Sequence, residues 1–191
     1  MTDCTERHPA GADDGIAREG QKGMTKEAQP MIEVGMRDVP EQHVISETKD
    51  VDQAALVAWL PGAMSRVAAA AKEHGGPLTA ADWPYLQRPT TDPVFVVIYE
   101  GNPNDGPTPV EVCATVPDAG HRTLPAHREA YVRVTKAQVT TGQLGGVYPA
   151  IEKWIAEHGL AISAAPRETY WTDFYAAAGG DEVFDVAFPV A

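Results

Sequence analysis

The sequence predicts an α+β fold: one strand–helix–strand–strand unit repeated twice, with the antiparallel sheets of the two units around a central ligand cleft. Three observations lead there. Several short segments alternate apolar and polar residues, while two longer stretches carry apolar residues at three- and four-residue steps. These segments follow the same order in both halves of the chain. Each helical stretch ends on Glu-His-Gly, at Glu73-His74-Gly75 and again at Glu157-His158-Gly159.

Taken in order, residues 1–29 carry no aromatic and few aliphatic side chains, so they cannot offset the entropy of becoming ordered. They are expected to be a disordered tail, within which Met24 offers an alternative start of translation. Residues 31–39 alternate weakly up to Pro40, and 43–48 resume the extended pattern. A helix follows from a cap at Asp50 or Asp52 through Leu56, Leu60, Met64, Val67 and Ala71, and Gly75-Gly76-Pro77 stops it. Pro61-Gly62 predicts a kink or two abutting helices. Strands are expected at 94–99 and 110–116, the second ended by Pro117, and 118–129 reads as a connector. The second half repeats this with a strand at 130–137 and a helix from about Thr141 to Gly159. Strands at 167–171 and 182–188 then close it, the last ended by Pro189. The domain therefore spans 30–191, with pseudo-repeats at about 30–118 and 128–191.

Superposing Pro117 on Pro189 sets Val112, Ala114 and Val116 against Phe184, Val186 and Phe188. Strands ending in Tyr99 and Tyr170 also correspond, which sets Val97 opposite Glu168.

Composition narrows the function. With 27 acidic and 15 basic residues the net charge is −12, and no basic stripe offsets it, so direct nucleic-acid binding is not expected. No run approaches about 18 uninterrupted apolar residues and no apolar leader opens the chain, so neither membrane insertion nor export is expected and the cytoplasm is the default address. Cys4 lies in the polar tail and Cys113 in a strand, which gives no disulfide framework. The six histidines lack metal-ligand spacing, and Gly142-Gln143-Leu144-Gly145-Gly146 lacks the Lys-Ser/Thr of a phosphate loop. No metal and no cofactor are expected.

The segments Val39-Pro40-Glu41-Gln42-His43-Val44, Trp154-Ile155-Ala156-Glu157-His158-Gly159-Leu160, Pro166-Arg167-Glu168-Thr169-Tyr170 and Phe184-Asp185-Val186-Ala187-Phe188-Pro189-Val190, in this order and spacing, carry a resemblance. The chain resembles the GyrI-like small-molecule-binding family, also called the AraC-type effector-binding domain, over about residues 31–190. The resemblance implies paired βαββ units around a curved pocket for amphipathic, often cationic, compounds. It implies that Glu168 contacts the ligand and that Tyr170 lies beside it. Family members include sensor parts of multidrug-responsive transcription regulators, a gyrase inhibitor and hydrolases of reactive cyclopropane natural products. The family's turn with a tyrosine before the second helix is replaced here by Ala137-Gln138-Val139-Thr140-Thr141-Gly142. No helix-turn-helix pattern precedes residue 31, so the expectation is a stand-alone ligand-binding domain.

Strand alternation puts Glu168 and Tyr170 on one face and Arg167, Thr169 and Trp171 on the other. With Tyr170 inward, the carboxylate would sit in an aromatic hollow and favour a cationic ligand or a proton. Phe95, Val97 and Tyr99 would supply the matching wall, and Trp83 and Tyr85 would close the mouth. Without the family likeness, a strand glutamate is an ordinary solvated edge residue, and Trp59 and Trp154 read as core. Three functions are weighed. The first is a sensor or sequestering protein for lipophilic cations. The second is a cofactor-independent hydrolase of cyclopropane- or epoxide-bearing compounds with Glu168 as its acid or base. The third is a topoisomerase inhibitor acting through a protein partner.

Overall fold

Alternation puts Ile45 on one strand and Val110, Val112, Ala114 and Val116 on another toward a helix, while Val44 and Cys113 point to the opposite side of the sheet. The computed structural model describes residues 32–88, 90–118 and 120–191. The expected tail at 1–29 lies outside the described residues. The strands are β1 (Gly35–Val39), β2 (Gln42–Val51), β3 (Phe95–Tyr99), β4 (Thr108–Val116), β5 (Arg122–Leu124), β6 (His127–Thr135), β7 (Arg167–Tyr170) and β8 (Glu182–Val190). They form one curled antiparallel sheet in the order β1-β6-β8-β7-β3-β4-β2-β5.

That order is symmetric about the β3–β7 pair, and Val97 and Glu168 are register partners there. Each half places a hairpin and a central strand on its own side of this axis. The leading strands cross over: β1 precedes the first half but pairs with β6 of the second, and β5 precedes the second half but pairs with β2 of the first.

Helix α1 (Gln53–Ala71) begins at Asp52, whose side chain accepts the Ala55 amide at 2.8 Å. It buries Leu56, Trp59, Ala63, Val67 and Ala71 on β2, β3 and β4. It runs unbroken through Pro61, where two helices were an alternative expectation. The carbonyl that the missing proline N–H leaves free belongs to exposed Val57, where water can reach it. With the turn after it, α1 is long and apolar enough by composition to span a bilayer, but its apolar stripe is packed on the sheet, as in the core helix of a globular domain.

The second helix starts later than expected. A short helix α2 (Lys136–Thr140) follows the Thr135 capping box, a 3₁₀ turn covers Gln143–Gly146, and α3 (Val147–Glu157) then packs Val147, Ile151 and Ile155 on β6 and β8. Gly142, with φ of 75°, breaks the helical path before it. Gly75 and Gly159 hold the same left-handed conformation, with φ of 75° and 68°, after the two matched Glu-His ends.

Two other sequence expectations give way. The connector 118–129 contains β5, and β8 continues through Pro189. The proline is tolerated because β7 begins only opposite Ala187: Pro189 pairs with Glu129 of β6 on one side, and on the other its carbonyl accepts the Ser163 amide of the irregular segment 161–163 at 2.9 Å.

Candidate functional site

α1 and α3 lie on the same face of the sheet and leave between them a cleft of about 1600 Å³. β3, β7 and β8 form its floor. α1 contributes Leu56, Leu60 and Met64; the α3 side contributes Leu144, Tyr148 and Glu152; β8 contributes Phe184 and Phe188. Phe174 and the exposed Tyr175 stand at the margin. Among the described residues the lining holds five carboxylates, on Asp92, Glu100, Glu152, Glu168 and Asp173, and no Lys, Arg or His.

Glu168 is 4% exposed and projects from β7 onto this floor. It is not a lone charge. Three phenols donate to it: Tyr99 to Oε2 at 2.6 Å, Tyr170 to Oε2 at 2.7 Å and Tyr148 to Oε1 at 2.8 Å. These bonds replace the water removed by burial, and hydrogen bonds to an ionised acceptor are the strong kind. Burial, reinforced by the neighbouring Glu168 carboxylate, pushes all three phenols well above the usual tyrosine range, so they keep their protons and remain donors. The aromatic rings flank the carboxylate in pairs. Tyr170 tilts against Phe184 at 4.6 Å between centroids, and Tyr148 meets Phe188 edge-on at 6.0 Å.

Of the residues singled out from sequence, Glu168, Tyr170, Tyr99 and Phe95 line the cleft together. Val97 is Glu168's register partner, fully buried under α1 and outside the lining. Trp83 and Tyr85 do not reach the cleft mouth. The Leu78 amide donates to the Thr115 carbonyl at 2.8 Å and the Val94 amide to the Leu78 carbonyl at 2.9 Å, and the segment between them lies on the reverse face of the sheet. There the Trp83 indole donates to Thr115 Oγ1 at 3.2 Å, and Gln42 Nε2 donates to the Tyr85 hydroxyl at 2.9 Å. Thr115 alternates with Ala114 and Val116, which face α1, so its own side chain points the opposite way.

The sequence reading passed over Tyr148, Phe184 and Phe188 as site residues. The repeat held a signal for Tyr148. At the offset that superposes His74-Gly75 on His158-Gly159, Tyr148 corresponds to Met64, and both side chains line the cleft from their helices.

The reverse face carries a separate ion network. Arg37 on β1 pairs with Glu129 at 2.7 Å and with Asp185 at 2.5 Å, and it lies over the Tyr131 ring at 4.1 Å. Burial raises the Asp185 carboxyl to about 6, although Arg37 and Arg133 pull the other way. The Arg37 contact does not cancel the desolvation of a side chain with no exposed surface.

Known structures share this architecture. The C-terminal domain of EcmrR matches with a TM-score of 0.64 and 19% identity, over 84% of this chain and 98% of that one. In an EcmrR–DNA complex solved by cryo-electron microscopy the match has a TM-score of 0.62 and 20% identity, over 83% of this chain and 57% of the EcmrR chain. A Staphylococcus aureus MU50 protein named as a candidate transcription regulator matches with a TM-score of 0.52 and 15% identity, over 84% and 99%. No family model matches, and no curated protein matches by sequence. The chain shares the α+β fold of these structures, a curled antiparallel eight-stranded sheet with α1 and α3 on one face.

Proposed function

We propose that this chain is a small-molecule-binding domain for lipophilic cations, serving as a sensor or a sequestering protein. The observation that carries this reading is one buried carboxylate in an aromatic cleft whose described lining has no cationic side chain. A ligand cation gains from the Glu168 charge, and each suitably placed ring face adds about 0.5–2 kcal/mol. The fold is shared with a candidate transcription regulator, which is consistent with ligand capture by a sensor. Three phenol hydrogen bonds already engage the Glu168 lone pairs, which favours binding over proton abstraction.

Fluorescence titration with ethidium, a lipophilic cation, tests the reading, with the neutral dye Nile red as control. Glu168→Gln is expected to weaken ethidium binding by about tenfold or more and to leave Nile red unchanged. Equal ethidium affinity in the variant and the wild type would refute the counter-ion role.

A further inference from the structure

We propose that the rim of the cleft is a docking surface for an amphipathic helix of another protein, one whose polar face is basic. The inference goes beyond the cation-binding reading: it concerns the rim and makes no use of the Glu168 floor.

α1 carries more apolar surface than the sheet covers. Leu56, Trp59, Ala63 and Val67 are buried against the strands. Val57, Leu60 and Met64, again at steps of three and four residues, form a second stripe that opens on the cleft. Val57 is 66% exposed, and Leu60 and Met64 are half-buried. The other large apolar side chains exposed among the described residues, Ile162 at 46% and Tyr175 at 75%, line the same cleft. Single apolar residues scattered over a surface are ordinary, but here all three gather around one opening, as at an interaction site.

The charges set among them have one sign. Glu100, Glu152 and Asp173 are exposed on the lining, and among the described residues none of the three is in an ion pair. No Lys, Arg or His stands with them in the described lining. A partner that fits must therefore bring apolar side chains and positive charge together. The steps on α1 suit a helix, because apolar rows three and four residues apart are what a second helix packs against. Lys or Arg on the flanks of that helix would meet the carboxylates, which fixes its register as well as adding attraction. A second copy of this chain fits worse: two such rims face to face set carboxylate against carboxylate, and each chain has a net charge of −12. Anionic lipid surfaces are repelled in the same way.

Fluorescence anisotropy tests the docking surface, using the full chain and a labelled peptide of leucine and lysine whose leucines share one helical face. One control is an isomer of the same composition whose leucines fall on no single face; the other keeps the helical pattern with glutamate in place of lysine. The helical lysine peptide is expected to bind about tenfold more tightly than either control. Val57→Ser combined with Tyr175→Ser, checked for fold by circular dichroism, is expected to weaken it by about fivefold or more. Equal binding of the peptide and its isomer would mean charge attraction alone and overturn the proposal. An unchanged affinity in the double variant, or no binding of the helical peptide, overturns it too. So does a dimer in sedimentation, or flotation with phosphatidylcholine vesicles, that the double variant abolishes, because the rim then has another occupant. Ethidium reads the floor separately, so either reading can fail while the other stands.

Discussion

Two buried carboxylates on adjacent strands show how differently one chain treats the same functional group. Glu168 faces the cleft and is compensated by neutral hydroxyls, which leaves its charge for a ligand. Asp185 faces the reverse side and is compensated by arginines, yet burial still lifts it to about 6. A carboxyl raised on folding contributes stability that is complete below its unfolded value and is lost as pH rises through the folded value. The window here is about pH 4 to 6. Over it Asp185 is expected to withdraw about 3 kcal/mol of stability. Glu129, Glu47 and Asp82 are held low and act at more acidic pH, in the opposite sense. Urea unfolding at a series of pH values checks this: Asp185→Asn should lack the downward slope between pH 4.5 and 6 that the wild type shows, and parallel slopes would refute it. At this scale the sequence made most of the carboxylate site legible and missed Tyr148. Glu168 and Tyr170 lie two apart on one strand, so alternation alone puts them on one face. Tyr99 followed from aligning the two repeats, but its hydrogen bond to Glu168, and the whole contribution of Tyr148, depend on tertiary distances that no local period encodes. For Trp83 and Tyr85, nothing in a loop sequence states which face of the sheet the loop will cover.

The elements were legible where hydrophobic period and end signals agree, and obscure where one residue carries two meanings. α1 was plain from its period and from Asp52, but Pro61-Gly62 reads equally as a break or as a defect tolerated inside a packed helix. Tertiary burial of Trp59, Ala63 and Val67 on both sides of it holds the helix together. In the second half the same kind of signal had the opposite outcome, because Gly142, Gly145 and Gly146 precede any buried helical residue. The glycine in α1 is thus a removable weakness. A Cβ at Gly62 would meet only the Arg66 guanidinium, at 3.1 Å to Nη1, a group that two hydrogen bonds hold on Glu47, and the Gly62 backbone is not left-handed. Gly62→Ala is expected to stabilise the protein by about 0.5–1 kcal/mol. The urea midpoint should rise with an unchanged slope; a lower midpoint would show that Arg66 cannot move aside.

Across the whole molecule, duplication was legible as repeated Glu-His-Gly ends and matched strands, but the interlocking of the halves was not. Pairing partners of edge strands are non-local, and the short β1 and β5 give weak sequence patterns. In the fold each half lends its first strand to the other, and the central β3–β7 pair joins them again. Arg37 adds a further tie, carrying charge from β1 to Glu129 on β6 and Asp185 on β8. Opening one half alone would strip an edge strand from the other and leave buried charges without their partner, a loss of about 3–5 kcal/mol where a single partner is removed. The carboxylate site spans both halves, with Tyr99 from the first and Glu168, Tyr170 and the α3 residue Tyr148 from the second, so binding too depends on the halves staying joined. The described domain is therefore expected to unfold as one cooperative unit despite its duplicated origin. Trp59 is buried in the first half and Trp171 in the second, which supplies two reporters. Variants keeping only one or the other of these tryptophans should give urea transitions that coincide with far-ultraviolet circular dichroism for each variant. A fluorescence midpoint displaced from the dichroism midpoint in either variant would mean that the repeats melt separately and that the crossed strands do not couple them.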